Sequence, residues 1–257
     1  AQAHTDRVVR VPWTNDFAAA RNAAVAHARG EWVLSIDADE CVEGAADAGA
    51  RLRAFIAAHG PETVGTIVIH NVDDGSGAIE ETLDHTRRFF HRGHFRFEGA
   101  IHEQLMRTQG TARTADTCVH VVHTGYAQRP GDPNHKARRN IPLLVAEIAT
   151  HPDDEYAYFQ LGKAHYALKE YGLAADAFEA ALARMHFDGA KLPHGRKGDV
   201  SRSVLTACLV NLAYAYVNLG RAGAADKLLA EHAALGHPAS QWADFAHVRG
   251  YVFLMLG

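Results

Sequence analysis

Along the first half of the chain, short apolar runs alternate with segments whose apolar residues recur at helical spacing. Val8-Val9-Arg10-Val11 reads as a strand closed by Pro12. Asn15 or Asp16 can cap a helix over residues 17–25, which stops at Gly30. Trp32-Val33-Leu34-Ser35-Ile36 is a nearly continuous apolar run, the pattern of a strand buried on both faces. Together these pieces form a βαβ pattern, which predicts two parallel strands. A helix is expected over residues 45–59, ended by Gly60-Pro61. A strand over residues 64–72 and a turn at Asp73-Asp74-Gly75-Ser76-Gly77 follow. Residues 82–91, 95–97 and 118–123 read as further strands, expected to be antiparallel.

From Asn134 the pattern becomes helical, so the expected division is 1–133 and 134–257. Tyr158, Leu161, Gly162, Tyr166, Ala174, Phe178 and Ala181 fall close to tetratricopeptide spacing. Leu212, Ala213, Tyr216, Ala225 and Leu229 repeat it, and residues 242–256 read as the first helix of a third unit. In such repeats each helix pair leaves an apolar face that only a neighbouring pair can cover. Tyr158, Tyr166 and Phe178 are accordingly expected in the repeat core rather than at a ligand site.

Composition narrows the function classes. The 257 residues carry 26 Lys+Arg against 30 Asp+Glu, a net charge of −4, so no basic nucleic-acid footprint covers the chain. Cys41, Cys118 and Cys208 are few, odd in number and far apart, which predicts neither a disulfide framework nor a cysteine zinc site and favours a reducing compartment. No apolar run approaches the ~18 residues of a membrane span. The first residue is Ala1 rather than Met, and the expectation is a segment of a longer protein whose native start lies upstream.

Asp37-Ala38-Asp39-Glu40 directly follows the second apolar run. In open α/β sheets ligands bind at the carboxyl ends of strands, and two carboxylates one residue apart can hold a divalent cation together with phosphate oxygens. The plainer alternative is an acidic loop in which Asp39 caps the next helix. His120 and His123, three residues apart on one expected strand, point to opposite faces and do not share a metal while the strand is regular. His91 and His94 read as surface residues. His102-Glu103-Gln104-Leu105-Met106 is not a zincin motif, because no second histidine stands at i+4.

Trp13-Thr14-Asn15-Asp16-Phe17-Ala18-x-Ala20-Arg21-Asn22, followed by Gly30-Glu31-Trp32-Val33-Leu34-x-Ile36-Asp37-Ala38-Asp39-Glu40, resembles glycosyltransferase family 2. The later motifs Arg88-x-Phe90, Phe97-Glu98-Gly99-x-Ile101-His102-Glu103-Gln104-Leu105 and His123-x-Gly125-Tyr126 resemble its bacterial branch with tetratricopeptide repeats. The resemblance implies an α/β fold: a partial, GT-A-like nucleotide-diphospho-sugar transferase sheet domain, then an all-α tetratricopeptide-like repeat domain. It also implies that the strand and helix binding the nucleobase are missing from the start of this chain.

The implied activity is inverting transfer of a sugar from a nucleotide-diphosphate donor, a UDP-sugar above all, with Mn2+ or Mg2+ as cofactor. Asp37 and Asp39 would form the metal and diphosphate motif, with Asp39 as the direct ligand, and Arg21 would face the nucleotide and phosphates. Glu103 is the candidate general base, with Glu98 as competitor and helix capping as its plainer role; relatives often carry an acidic pair where His102-Glu103 stands. His123 is a candidate third metal ligand or diphosphate contact, against a purely structural hydrogen-bonding role. The expected acceptor is a glycan, a lipid-linked intermediate or a peptide side chain. The repeats would hold it, bind a protein partner or mediate self-association, with no nucleic-acid partner. Two other readings compete. A haloacid-dehalogenase-type phosphatase fits poorly, since Cys41 stands where a Thr or Val belongs; the other is a non-catalytic repeat adaptor with a truncated transferase domain.

Overall fold

A computed structural model describes residues 8–71, 84–123, 134–188, 193–195, 198–200, 202–236 and 243–256. The chain divides into two compact units, residues 1–131 and 132–257. The turn expected at 73–77 and the Gly125-Tyr126 part of one motif lie outside the described residues.

The first unit holds α1 (Phe17–Ala26), β1 (Trp32–Leu34), β2 (Glu40–Val42), α2 (Ala45–Ala58), β3 (Thr63–Asn71), β4 (Asp84–His91), β5 (Phe95–Glu98), β6 (Gln104–Arg107) and β7 (Arg113–His123). Five strands form a mixed sheet in the order β1-β4-β3-β7-β2. Only the β3–β7 pairing is parallel; β4 runs antiparallel to both β1 and β3, and β2 antiparallel to β7. β5 and β6 form a separate antiparallel hairpin.

Three sequence expectations fail here, the first being that residues 118–123, expected to be antiparallel, pair parallel with β3 as part of β7 and antiparallel only with β2. Residues 8–11 form no strand and are exposed, so the predicted parallel partner of β1 is absent among the described residues. β1 is instead an edge strand paired antiparallel with β4, and it is half-buried rather than covered on both faces. The apolar run misleads because its residues face different neighbours. Trp32 stacks on Phe89 and meets Phe55 edge-on, Val33 packs against the cluster of Phe90, Phe95 and Phe97, and Ile36 points to solvent. β2 and β6 are additional strands, too short to show a period of two in the sequence.

Sheet order imposes a constraint. β1 and β2 lie at opposite edges, yet only residues 35–39 connect them. Across five flat strands the edges would stand about 19 Å apart. The connection contains a turn, closed by the Glu40 N–H donating to the Asp37 carbonyl at 3.1 Å. A turn spans less than about 7 Å and the three preceding steps at most about 11 Å, which falls short of the flat separation. The sheet therefore curls into a half-barrel that brings its two edges together.

The second unit is helical: α3 (His135–Thr150), α4 (Glu155–Ala167), α5 (Tyr171–Arg184), α6 (Arg202–Asn218), α7 (Ala222–Ala234) and α8 (Ala243–Met255), with a small hairpin of β8 (His194–Gly195) and β9 (Gly198–Asp199) between α5 and α6. Successive helices pack on one another around Phe159, Phe178, Leu209, Leu212, Leu229 and Phe245. Asp154 caps α4 by accepting from Ala157 N–H at 3.0 Å. Phe178 is fully buried as expected, whereas Tyr158 lies at the rim, where the Arg184 guanidinium stacks on its ring at 3.9 Å.

Gly162 sets the approach of α4 to α5. A Cβ there would stand 2.6 Å from the Phe178 ring. Gly162→Ala, which on an open helix would add about 1 kcal/mol of stability, is expected to cost about 1–3 kcal/mol here. A thermal melt checks this, and an unchanged or raised midpoint contradicts it.

Candidate active site

The first turn of α1 is fixed before any charged group is placed. Asp16 accepts from Ala19 N–H at 2.8 Å, and Phe17 N–H donates to the Ala100 carbonyl at 2.8 Å. The Asn22 side chain then pairs with Phe97 as a strand would: it donates to the Phe97 carbonyl and accepts from the Phe97 N–H, both at 2.9 Å. With the helix docked on β5, Arg21 lies across the Phe97 ring at 5.5 Å. An arginine one residue before this anchor has little freedom to move along the helix axis.

The Arg21 guanidinium fans out to three residues, two in the β1–β2 connection and one just before β6. Its Nη2 donates to Asp37 Oδ1 at 2.8 Å, its Nη1 to Ser35 Oγ at 3.1 Å, and its Nε to Glu103. Arg88, on β4, approaches from the sheet: Nη2 lies 3.3 Å from both Asp37 Oδ2 and Glu40 Oε1. Glu40 also accepts the Asp37 backbone N–H at 2.7 Å. Thus Asp37 is gripped by a guanidinium on each carboxylate oxygen. Burial opposes the Asp37 charge, but Arg88 and then Arg21 outweigh it and hold the carboxyl below its ordinary value of 3.8. Burial likewise opposes the charge on Arg21, and the Glu103 and Asp37 carboxylates overcome it, raising its pKa. Arg88 Nη1 is buried and makes no hydrogen bond, a donor left over beside this cluster.

The turn that carries Asp37 toward the arginines sends Asp39 the other way. Asp39 Oδ2 stands 3.4 Å from His123 Nε2, and His123 Nδ1 contacts Asn71 Oδ1 at 2.8 Å. Pairing of β2 with β7 sets Glu40 opposite His123, which is what brings residues 84 positions apart in sequence into contact. His120 lies on the other face of β7, against His70. Glu98 is bound to Arg96 at 2.8 Å on the outside of the hairpin. His102 adopts a left-handed backbone, φ 50°, immediately before Glu103. Glu103 begins no helix; it precedes β6. His91 and His94 meet edge to face at 5.1 Å and are half-buried.

The structure therefore brings Arg21, Asp37 and Glu103 into one network, and Asp39 and His123 into a neighbouring pair. Arg88 and Glu40 join the network without a role that the sequence assigns them: both stand inside quoted motifs, but only the curl of the sheet brings β4 and the start of β2 together. Four carboxylates (Asp37, Asp39, Glu40 and Glu103) face two guanidiniums, and the surplus of negative charge suits a divalent cation. Asp37 has both oxygens on arginine and Glu40 has one on Arg88 and one on the Asp37 N–H, whereas the half-exposed Asp39 and the imidazole of His123 offer oxygen and nitrogen donors side by side, a set that fits such an ion.

Replacing Arg88 with Met leaves Asp37 and Glu40 with fewer counter-charges. Asp37 has a depressed pKa, so its contribution to stability is complete above about pH 4 and is lost as the pH falls through its lower folded value. Arg88→Met is expected to melt several degrees below the parent at neutral pH, with the gap narrowing as the pH falls below the ordinary Asp37 value of 3.8. A gap that stays constant across this range contradicts the assignment.

Comparison with known proteins fits this geometry. The glycosyl transferase family 2 profile matches residues 4–102, which include Arg21, the Asp37–Glu40 turn and Arg88. A TPR repeat-containing protein of Synechococcus elongatus is 30% identical over 164 residues, covering 61% of this chain and 39% of that protein. The SPbeta prophage-derived glycosyltransferase SunS of Bacillus subtilis is 26% identical over 176 residues, covering 66% of this chain and 40% of that protein. The chain thus spans about two fifths of the length of these relatives. Residues 4–102 are thus similar to glycosyl transferase family 2, and a helical unit follows them.

Proposed function

We propose that this chain supplies the diphosphate-binding and catalytic part of an inverting glycosyltransferase that uses a nucleotide-diphosphate sugar, a UDP-sugar above all. The observation that carries the reading is the double arginine grip on Asp37, lying inside the segment that matches glycosyl transferase family 2. Two guanidiniums and an unused buried N–H of Arg88 suit an incoming diphosphate, whose oxygens match their planar donors. Asp39 and His123 are assigned to hold Mn2+ or Mg2+. Such an ion, when bound, supplies charge neutralisation to the departing diphosphate.

Glu103 is assigned as the base, in preference to Glu98 on the outer face of its hairpin. The acceptor oxygen bonds to the anomeric carbon, the bond from that carbon to the diphosphate oxygen breaks, and the acceptor proton passes to the Glu103 carboxylate. Arg21 spans the donor and acceptor sides, since it bonds both Asp37 and Glu103. It thereby ties the position of the base to the position of the diphosphate.

The helical unit is assigned to the acceptor, whether a glycan, a lipid-linked intermediate or a peptide, or to a protein partner or a second copy. Among the described residues no helix is long and apolar enough to cross a membrane, and Cys41, Cys118 and Cys208 are free thiols; both accord with action in the cytoplasm. The opposing reading, a repeat adaptor without catalysis, keeps the helical unit and gives the arginine–carboxylate network a purely structural part.

Calorimetric titration of UDP with Mn2+ separates them. Binding that needs Mn2+ and falls at least about tenfold in Asp39→Ala is expected. Glu103→Gln is expected to keep that binding and to lose about 100-fold or more in transfer rate. Absence of UDP binding by this chain and by a longer version carrying its upstream residues favours the adaptor. A chain shortened to residues 1–133 is expected to keep donor hydrolysis but lose acceptor use or self-association; neither changing contradicts the role given to the helices.

A further inference from the structure

On the face of β7 away from His123, a second group of donors converges. His70, near the end of β3, places Nε2 2.8 Å from Nδ1 of His120 on β7, with the rings tilted by 39°. Glu43, the residue after β2, completes the group: one donor atom from each of the three lies within 4.8 Å of the others. The sheet pairing accounts for this. In the parallel β3–β7 ladder Val68 stands opposite His120 and His70 opposite Val122, so the two histidines are diagonal neighbours on one face. The Glu43 N–H donates to the His120 carbonyl at 3.0 Å, which carries Glu43 to the same place from the other side.

We propose that Glu43, His70 and His120 form a transition-metal site, with Zn2+ the ion that fits best. Two imidazoles and one carboxylate, with a fourth position open to water, is a zinc donor set; the second imidazole favours Zn2+ over Mg2+ and Mn2+ more strongly than the single imidazole beside Asp39 does. The two ring nitrogens face each other, an arrangement that without metal requires one to carry a proton and the other a lone pair. Bound to Zn2+ at about 2.0–2.1 Å in tetrahedral geometry, they would stand about 3.3 Å apart, so the rings need to part by only about half an ångström. The proton on the donating nitrogen moves to the other nitrogen of its ring, and both lone pairs then face the ion.

This site is separate from the pair Asp39 and His123, which lies on the opposite face and roughly 10 Å along the strand from His120. Its effect is mechanical. The three donors come from just after β2, from β3 and from β7, so a bound ion fastens the edge strand β2 to its neighbour β7 and to β3 beyond it. β2 begins at Glu40, the last residue of the turn bearing Asp37 and Asp39. An ion here braces that turn from behind.

The test strips the protein with chelator and titrates it with Zn2+ alone by calorimetry, then with Co2+, whose visible absorption reports tetrahedral nitrogen and oxygen ligation. An Asp39→Asn, His123→Asn chain removes the other candidate ligands. In that background one equivalent of Zn2+ is expected to bind and to raise the melting temperature. Adding His120→Ala is expected to weaken binding at least about 100-fold, and Glu43→Gln, at an exposed position that folding tolerates, at least about tenfold. Circular dichroism verifies that each variant is folded. Equal Zn2+ affinity with and without His120 and Glu43 overturns the proposal, as does the absence of any Zn2+ binding in the Asp39→Asn, His123→Asn chain.

Discussion

A connection of only five residues has to join the two outermost strands of a five-stranded sheet, and much of the first unit depends on it. Curling the sheet closes the gap geometrically, but it also drives Asp37 and Glu40 into one small space with Glu103. Like charges at such separations repel strongly once water is thinned out. Arg21 and Arg88 make the arrangement tenable. One comes from a helix pinned to β5 by Asn22, the other from β4, and each carries two carboxylates. The turn is therefore held by charges from α1 and from β4 rather than by its own hydrogen bonds alone.

The same grip divides labour between the two aspartates. Asp37 has an arginine on each oxygen, whereas Asp39 leaves the turn toward His123 and Asn71. In the proposed reaction this makes Asp37 an organiser of cations and Asp39 the ligand that meets the metal. The proposed zinc site adds a brace on the far side of the sheet, so β2 would be held on one face by Arg88 through Glu40 and on the other through Glu43.

Much of this was legible in the sequence, for identifiable reasons. The capping of α1 by Asp16, the end of α2 before Gly60-Pro61 and the strand at Thr63–Asn71 follow from local signals that tertiary context did not override. The helical repeats showed through their small and large positions, with Gly162 against Phe178. What failed were statements about pairing. The run at residues 32–36 looks like a central strand because its side chains are apolar, yet its place at the edge depends on β4, a partner more than fifty residues away. Periodicity placed His120 and His123 on opposite faces correctly, but the companions of each, His70 and Asn71, became visible only with the parallel register of β3 and β7. Arg88 was hidden for the same reason: its partners are Asp37 in the turn and Glu40 on a strand of three residues that no pattern marks.

The central claim is that the arginines keep Asp37 while Asp39 and His123 take the donor metal. Crystals grown with Mn2+ and UDP, measured at a wavelength where manganese scatters anomalously, test it most directly. The account predicts a manganese peak bonded to Asp39 and His123, with Asp37 still held by Arg21 and Arg88. A peak bonded to Asp37, with the two guanidiniums turned away from it, would contradict the account.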